Sequence, residues 1–512
     1  VGAGILLSRI IGLVRERLFA HFFGNSDAAD AFKAALKIPN LLQNLFGEGA
    51  LSSSFIPVYA GLLATDKEEA NRVARVIGSI LALTMSLLVL AGILATPLLI
   101  DLIAPGFDGT KREFTIRMVR ILFPGVGVLV LSAWCLGILN SHRRFFLPYA
   151  APVLWNMAMI GAMAGFGSRY QSYPLAVIVA WGAVAGSLLQ FGIQLPSVIR
   201  LAGRLRFQVE LISANTRTVI RNFLPGVAGR GVNQLSSYID AILSSFLPTG
   251  AVAAMAYAQT IYLLPVSLFG MSISSAELPE MASQTGSKED VAAALCLRLD
   301  AALSRVAFFI VPSAAAFLAL GDSIVGFVYQ TGKFMRADVL YVWAVLAGYA
   351  VGLLAATLGR LYTSAFWALK DTRTPLRFAS LRVGLAAVLG WALAFPAPKW
   401  LGISQRWGLV GLSFSAGLAA WIEFVLLRRC MNRRTGRTGL TASLSAGLWA
   451  AAASAAAAAF AVKLWTRSLN PLLSGTIVIC VFGMIYVGGA AALKIPDARR
   501  ILRTLSGRRR AR

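Results

Sequence analysis

Ionisable side chains are scarce in this 512-residue chain. Only 14% of residues are charged, and acidic ones are the rarest, 22 Asp and Glu against 48 Lys and Arg. That shortage excludes an ordinary soluble protein, in which about 25% of residues are charged. Two histidines, His21 and His142, and four cysteines, Cys135, Cys296, Cys430 and Cys480, are scattered with no C-x-x-C spacing. Neither a protein metal cluster nor a Cys–His catalytic pair is therefore expected. Cys135 and Cys480 lie inside apolar segments and are expected to be small packing residues. Also missing are a Walker A loop, a G-x-S-x-G elbow and an H-E-x-x-H pair. The longest hydrophilic stretches, near 199–218 and 276–300, are too short for a nucleotide-binding domain. The chain is expected to be neither an enzyme nor a cofactor carrier.

Hydrocarbon is abundant. Hydrophobic residues make up 57% of the chain and the mean hydropathy is +0.71. They form repeated runs of about 20 or more residues, each long enough to cross about 30 Å of lipid as a helix. Alternating segments of about 10 residues, the mark of a membrane β-barrel, are absent. The pattern predicts an all-α polytopic membrane protein with fourteen spans: 1–23, 31–62, 74–100, 115–140, 148–167, 174–198, 219–246, 252–275, 301–328, 338–366, 378–397, 408–427, 440–462 and 470–492. The opening "VGAGILLSRIIGLV" has no initiator methionine and no A-x-A-like site, so the true N-terminus is expected upstream, without a cleaved signal peptide.

Basic residues orient the spans. Thirty of the 48 Lys and Arg fall in loops after even-numbered segments or in the C-terminal tail, and ten after odd-numbered ones. Positive charge stays inside, which puts both termini in the cytoplasm. The same distribution explains the net charge of +26 without nucleic acid, since no basic face interleaved with aromatics lies outside the membrane. The tail "RRILRTLSGRRRAR" is expected to meet anionic headgroups, at about 1 kcal/mol per basic residue.

Eight cations remain at membrane depth: Arg9, Arg15, Arg17, Lys33, Lys37, Arg120, Arg230 and Arg360. Each costs about 2.5–3.5 kcal/mol at mid-bilayer, so such residues usually face protein or a wet cavity. Five of them lie in the first two segments. Arg9 and Glu16, seven apart, share a helix side, and Arg17 is near enough to a segment end to snorkel. Asp30, Lys33 and Lys37 follow helical spacing, which Asn40, Asn44 and Glu48 extend. These stripes predict a cationic, anion-binding cavity in which Glu16, Asp30 and Glu48 hold the cations through charge-assisted bonds. Internal salt bridges without a ligand, or interfacial helices, are the alternatives. Asp240, among Ser236, Ser237 and Ser244, is a candidate sodium or proton site, or simply the partner of an arginine.

The chain echoes itself. "FFG…LFGEGALSSSFIPVYA" near 22–60 returns as "FLP…LFGMSISSAELPEMA" near 246–282, pairing Gly24 with Pro248, Phe46 with Phe269, Gly47 with Gly270 and Pro57 with Pro279. "GILNSHRRFFLP" at 137–148 likewise resembles 360–375. Two parallel six-segment halves follow, an arrangement common in secondary transporters. Pro39, Pro57 and Pro265, with Gly270, predict kinks that can act as gates.

The motifs "SRIIGLVRE" (8–16), "DAFKAALKIPNLLQNLFGEGALSSSFIPVY" (30–59), "APGF" (104–107), "LFPGV" (122–126), "GILNSHRRF" (137–145) and "YQTGKF" (329–334) resemble the MurJ/MviN lipid II flippases of the MOP exporter superfamily. The resemblance implies pseudo-symmetric six-helix lobes at 1–198 and 199–437, a lipid-tail groove from the two helices in 438–493, and a basic cytoplasmic tail at 494–512. It implies a bacterial inner-membrane transporter that flips lipid II, or a related polyprenyl-pyrophosphate glycan, by alternating access. Export of another undecaprenyl-linked glycan or of a soluble drug is the alternative. Arg9 and Arg15 match the family's cavity arginines, Glu16 stands at its acidic position, and Asp30, Asn40 and Glu48 match its polar residues. Two family arginines are replaced, by Gln43 and Thr260, and with the second lost, either Lys33, Arg230 or another residue is expected to substitute or the substrate grip differs. Segment 11 lacks the Asn and Asp of a sodium site. The expected partners are the lipid substrate, anionic lipids at the tail and cell-wall synthesis enzymes, with the chain acting as a monomer.

Overall fold

In the computed structural model of the protein the described residues are 2–203, 207–208, 213–284 and 287–505; the side chains of 2, 3, 5, 48, 53, 224–236, 288 and 503–505 lie outside the description. The fold is all-α, and among the described residues the only β feature is one isolated bridge between Thr331 and Phe334. Contacts divide the chain into two compact units, Val1–Ala253 with Thr331–Phe334, and Ala254–Gln330 with Met335–Arg512.

The first unit holds α1 (Gly2–Phe23), α2 (Asp27–Phe46), α3 (Glu48–Thr65), α4 (Lys67–Leu94), α5 (Thr96–Ile103), α6 (Gly109–Ser141), α7 (Phe146–Ala150), α8 (Pro152–Phe166), α9 (Ser172–Ala202), α10 (Ala214–Ser245) and the first turn of α11 (Ala251–Pro265). Side-chain caps fix several starts. Ser26 accepts from Ala29 N at α2, and Asp66 accepts from Glu68 N and Glu69 N at 3.0 Å at α4. The core joins Leu51, Phe55 and Tyr59 of α3 to Ile77 of α4 and to Trp134 and Ile138 of α6. Helix α10, expected to open the second lobe, packs on α2 and α3 in this unit. The turn Thr331–Phe334, from the "YQTGKF" motif, closes on the end of α1. Lys333 N donates to His21 O at 2.9 Å, and His21 Nδ1 lies 2.8 Å from Thr331 Oγ1. Gly332 has φ +53° there, and an added Cβ would stand 2.4 Å from His21 O, so only glycine fits.

The second unit holds the rest of α11, a π turn (Val266–Met271), α12 (Ser272–Ala282), α13 (Lys288–Ala319), α14 (Gly321–Tyr329), α15 (Arg336–Ala368), α16 (Arg373–Ala394), α17 (Pro396–Trp400), α18 (Gly408–Thr435), α19 (Ala442–Trp465), α20 (Pro471–Ala492) and α21 (Pro496–Leu505). Its tightest pair is α15 with α18, where small residues let the backbones meet. A Cβ on Gly352 would stand 2.3 Å from the Gly417 Cα. Gly352→Leu is accordingly expected to lower stability by about 1–3 kcal/mol through overpacking. A thermal melt in detergent that matches the wild type would show the seam to be loose. Lys463 of α19 and Arg336 of α15 both reach Asp322 of α14 at 2.7 Å, tying α19 to its unit.

Eleven helical stretches among the described residues are long and apolar enough to cross a membrane, matching expected segments three to six and eight to fourteen. Segments one and two are helical too, but the charges of α1 and α2 keep them below that apolarity. Segment seven is α10, part of whose side chains lie outside the description. Segment two, read as one span, is two helices broken at Gly47, while Pro39 and Pro57 sit inside helices. Its echo partner Gly270 falls in the π turn after Pro265. The backbone interruptions thus fall on the paired glycines. Cys135 is fully buried, as packing requires, whereas Cys480 is exposed on α20.

Candidate anion-binding site

The site is built where α1 meets α2. Glu16 is 6% exposed and accepts from two cations, Arg15 Nη2 at 2.6 Å and Lys33 Nζ at 2.5 Å. One carboxylate between two cations leaves one net positive charge. Aromatic faces hold both cations: the Arg15 guanidinium carbon is 4.9 Å from the Trp155 ring centroid, and Lys33 Nζ is 4.4 Å from that of Phe19. The guanidinium keeps a planar set of donors suited to phosphate oxygens, while the ammonium acts as a point charge.

One turn along α2, Lys37 leaves this cluster. Its Nζ donates to Ser237 O at 2.7 Å, and Tyr238 Oη donates to Lys37 O at 2.9 Å, fastening α2 to α10. Asp240 is within electrostatic reach of Lys37. Among the described residues no group of three or more His, Cys, Asp or Glu side chains could hold a metal ion.

Asp30 also stands apart. It is 1% exposed and accepts from Lys111 Nζ at 2.7 Å, Gly250 N at 2.8 Å and Ala253 N at 2.7 Å. Lys111 reaches Asp27 as well, at 2.9 Å. Asp30 thereby caps the first turn of α11 from a distant helix, with both oxygens engaged. Of the remaining expected residues, Arg9 is half-buried on α1 and Asn44 is exposed. Asn40 lines a cleft of about 10 Å³ with Pro39, Leu122, Trp155 and Ser187, about enough for one water. The side chains of Glu48 and Arg230 lie outside the described residues. Arg120 and Arg360 are exposed on their own units.

Sequence reasoning missed Lys111, Trp155 and Tyr238. Lys111 passed as an ordinary loop cation, although from the first turn of α6 it reaches both Asp27 and Asp30. At the position expected from the resemblance to have lost an arginine, Gln259 Nε2 donates to Tyr349 Oη at 3.0 Å and Thr260 Oγ1 donates to Ala256 O at 2.9 Å. Both polar groups are bonded within the second unit.

The fold is that of MOP-superfamily exporters. It aligns with an inward-facing multidrug-resistance MATE transporter of that superfamily at TM-score 0.64 and 18% identity, over 83% of this chain and 95% of the other. With a solved lipid II flippase MurJ in an inward closed conformation the TM-score is 0.79 at 23% identity, over 98% and 99% of the two chains. The chain belongs to the lipid II flippase MurJ family, whose family model matches residues 19–483. Relatives include a probable lipid II flippase MurJ of Rhizobium meliloti, 31% identical over 433 residues, covering 83% of this chain and 78% of that protein. A lipid II flippase MurJ of Burkholderia cenocepacia is also 31% identical, over 444 residues, 84% of this chain and 82% of that one.

Proposed function

We propose that this chain carries lipid II, the lipid-linked peptidoglycan precursor, from the inner to the outer leaflet of the bacterial cytoplasmic membrane by alternating access. It is a transporter, not an enzyme. Family membership supports the substrate, and the observation that carries the reading is the Arg15–Glu16–Lys33 cluster on charged helices of a membrane protein. Net positive charge at a desolvated site favours a pyrophosphate head. In this reading Arg9, Arg15, Lys33 and Lys37 attract the head, Glu16 orients the cations, and Asn40 and Asn44 bond the glycan, with Glu48 and Arg230 completing the site. The polyprenyl tail stays in lipid beside α19 and α20. The reading extends to fourteen crossings, six-helix lobes at 1–198 and 199–437, cytoplasmic termini and action as a monomer, with residues 494–512 meeting anionic lipid or cell-wall enzymes.

The deciding experiment places the gene in a cell depleted of its own lipid II flippase and follows translocation of the head in reconstituted vesicles. Growth and translocation are expected. Vesicles that move other undecaprenyl-pyrophosphate glycans but not lipid II would overturn the substrate. Because segment 11 (378–397) lacks the Asn and Asp that a sodium site would draw on beside Asp240, translocation is expected to persist when N-methylglucamine replaces sodium. A strict sodium requirement would return Asp240 to the role of ion ligand.

A further inference from the structure

The second unit contains a cleft of about 640 Å³, formed by α13, α15, α16 with α17, and α18. Its walls include Trp343, Ala347, Gly348, Leu393, Trp407 and Phe414. This volume is within the range of about 300–1,000 Å³ typical of small-molecule sites. Such sites normally offer a few polar groups that orient the ligand, and this lining is hydrocarbon and aromatic. The Trp343 indole is already committed, donating to Phe317 O at 3.0 Å. A saturated chain without polar atoms is the matching occupant.

The surroundings of the cleft say which chain. The basic runs at Arg373–Arg377 and Arg428–Arg437 mark the far ends of α16 and α18 as cytoplasmic. The cleft, beside Leu393 at the end of α16 and Val410 at the start of α18, therefore opens toward the outer leaflet. The connecting stretch 396–407 exposes Trp400 at 85%, Leu401 at 71% and Ile403 at 47%, a surface suited to the headgroup layer and costly in water. Two cations stand in the same stretch. Lys399 is exposed. Arg406 lies between the cleft residues Ile403 and Trp407, its guanidinium carbon 4.3 Å from the Tyr341 ring centroid. Among the described residues its acidic neighbour is Asp338, 3.7 Å away, and its shielded Nε has no hydrogen-bond partner there. A hydrocarbon slot beside a loosely neutralised guanidinium matches an acyl chain joined to a phosphate.

We propose that this cleft binds an anionic phospholipid of the outer leaflet, with an acyl chain between Trp343 and Trp407 and the phosphate at Arg406. The site is independent of which head the protein flips. In the full chain reconstituted in phosphatidylcholine, chain-brominated phosphatidylglycerol is titrated in, and the emission lost on going from wild type to Trp407→Phe is followed. Saturable quenching at low mole fraction is expected, with chain-brominated phosphatidylcholine needing about fivefold more lipid for the same effect, as one basic contact implies. Arg406→Gln should remove that preference, and Ala347→Phe, checked by its melting curve, should remove the saturable component. Equal quenching by both lipids that Arg406→Gln leaves unchanged would overturn the proposal as bulk contact. Displacement of the brominated lipid by undecaprenyl phosphate more readily than by unlabelled phosphatidylglycerol would overturn it in favour of a polyprenyl chain.

Discussion

Lys33→Met is expected to cut translocation of the lipid II head at least tenfold in reconstituted vesicles while leaving the protein folded. Glu16 neutralises one of its two cations, so losing Lys33 takes the cluster from one net positive charge to none. Two unit charges about 4 Å apart are worth about 4 kcal/mol at an effective dielectric near 20. Realising a third of that would already give about tenfold. Arg15→Met should do the same and also remove the planar donors. Lys33→Arg should restore most of the rate, because charge is what the position supplies. Glu16→Gln acts in the other direction: it adds net charge, so apparent KM should fall while turnover slows through retained product. If Lys33→Met transports at the wild-type rate and only its melting temperature drops, the cluster is an internal salt bridge that handles no ligand.

The charged stripes were legible because they interrupt otherwise apolar runs in a chain built to span lipid, where an uncompensated cation is expensive. That Glu16 would hold cations was an expectation from the stripes; that the two cations are Arg15 and Lys33, and not Arg9 on the same helix side, comes from the geometry. The fates of Asp30, Lys33 and Lys37 were not legible. Helical spacing puts the three on one side of α2, yet they turn to three different neighbours: Lys111 with the start of α11, Glu16 on α1, and the backbone of α10. A stripe one side wide still touches several helices, and periodicity within one helix carries no information about which helix packs where. The break at Gly47 was hidden for a related reason, since prolines on either side looked like the stronger interruptions. Both prolines are accommodated inside helices, as membrane helices allow where the freed carbonyl finds a partner.

Asp30→Asn should be the most destabilising conservative change in the first unit, by about 3–5 kcal/mol, the range for breaking a buried ion pair from one side. Both carboxylate oxygens accept, from Lys111, Gly250 and Ala253. An asparagine offers one acceptor oxygen and one NH2, so one site would set donor against donor. Lys111 would keep only the half-exposed Asp27, and the first turn of α11 would lose at least one cap. Translocation should fall because α11 is misplaced, not because a ligand contact is gone. Two readouts separate these causes. Pairing Asp30→Asn with Lys111→Met should cost less than the sum of the single changes, since the double variant no longer strands a buried ammonium. Near-additive losses, or an unchanged melting curve with a raised apparent KM for lipid II, would instead make Asp30 a direct contact of the substrate.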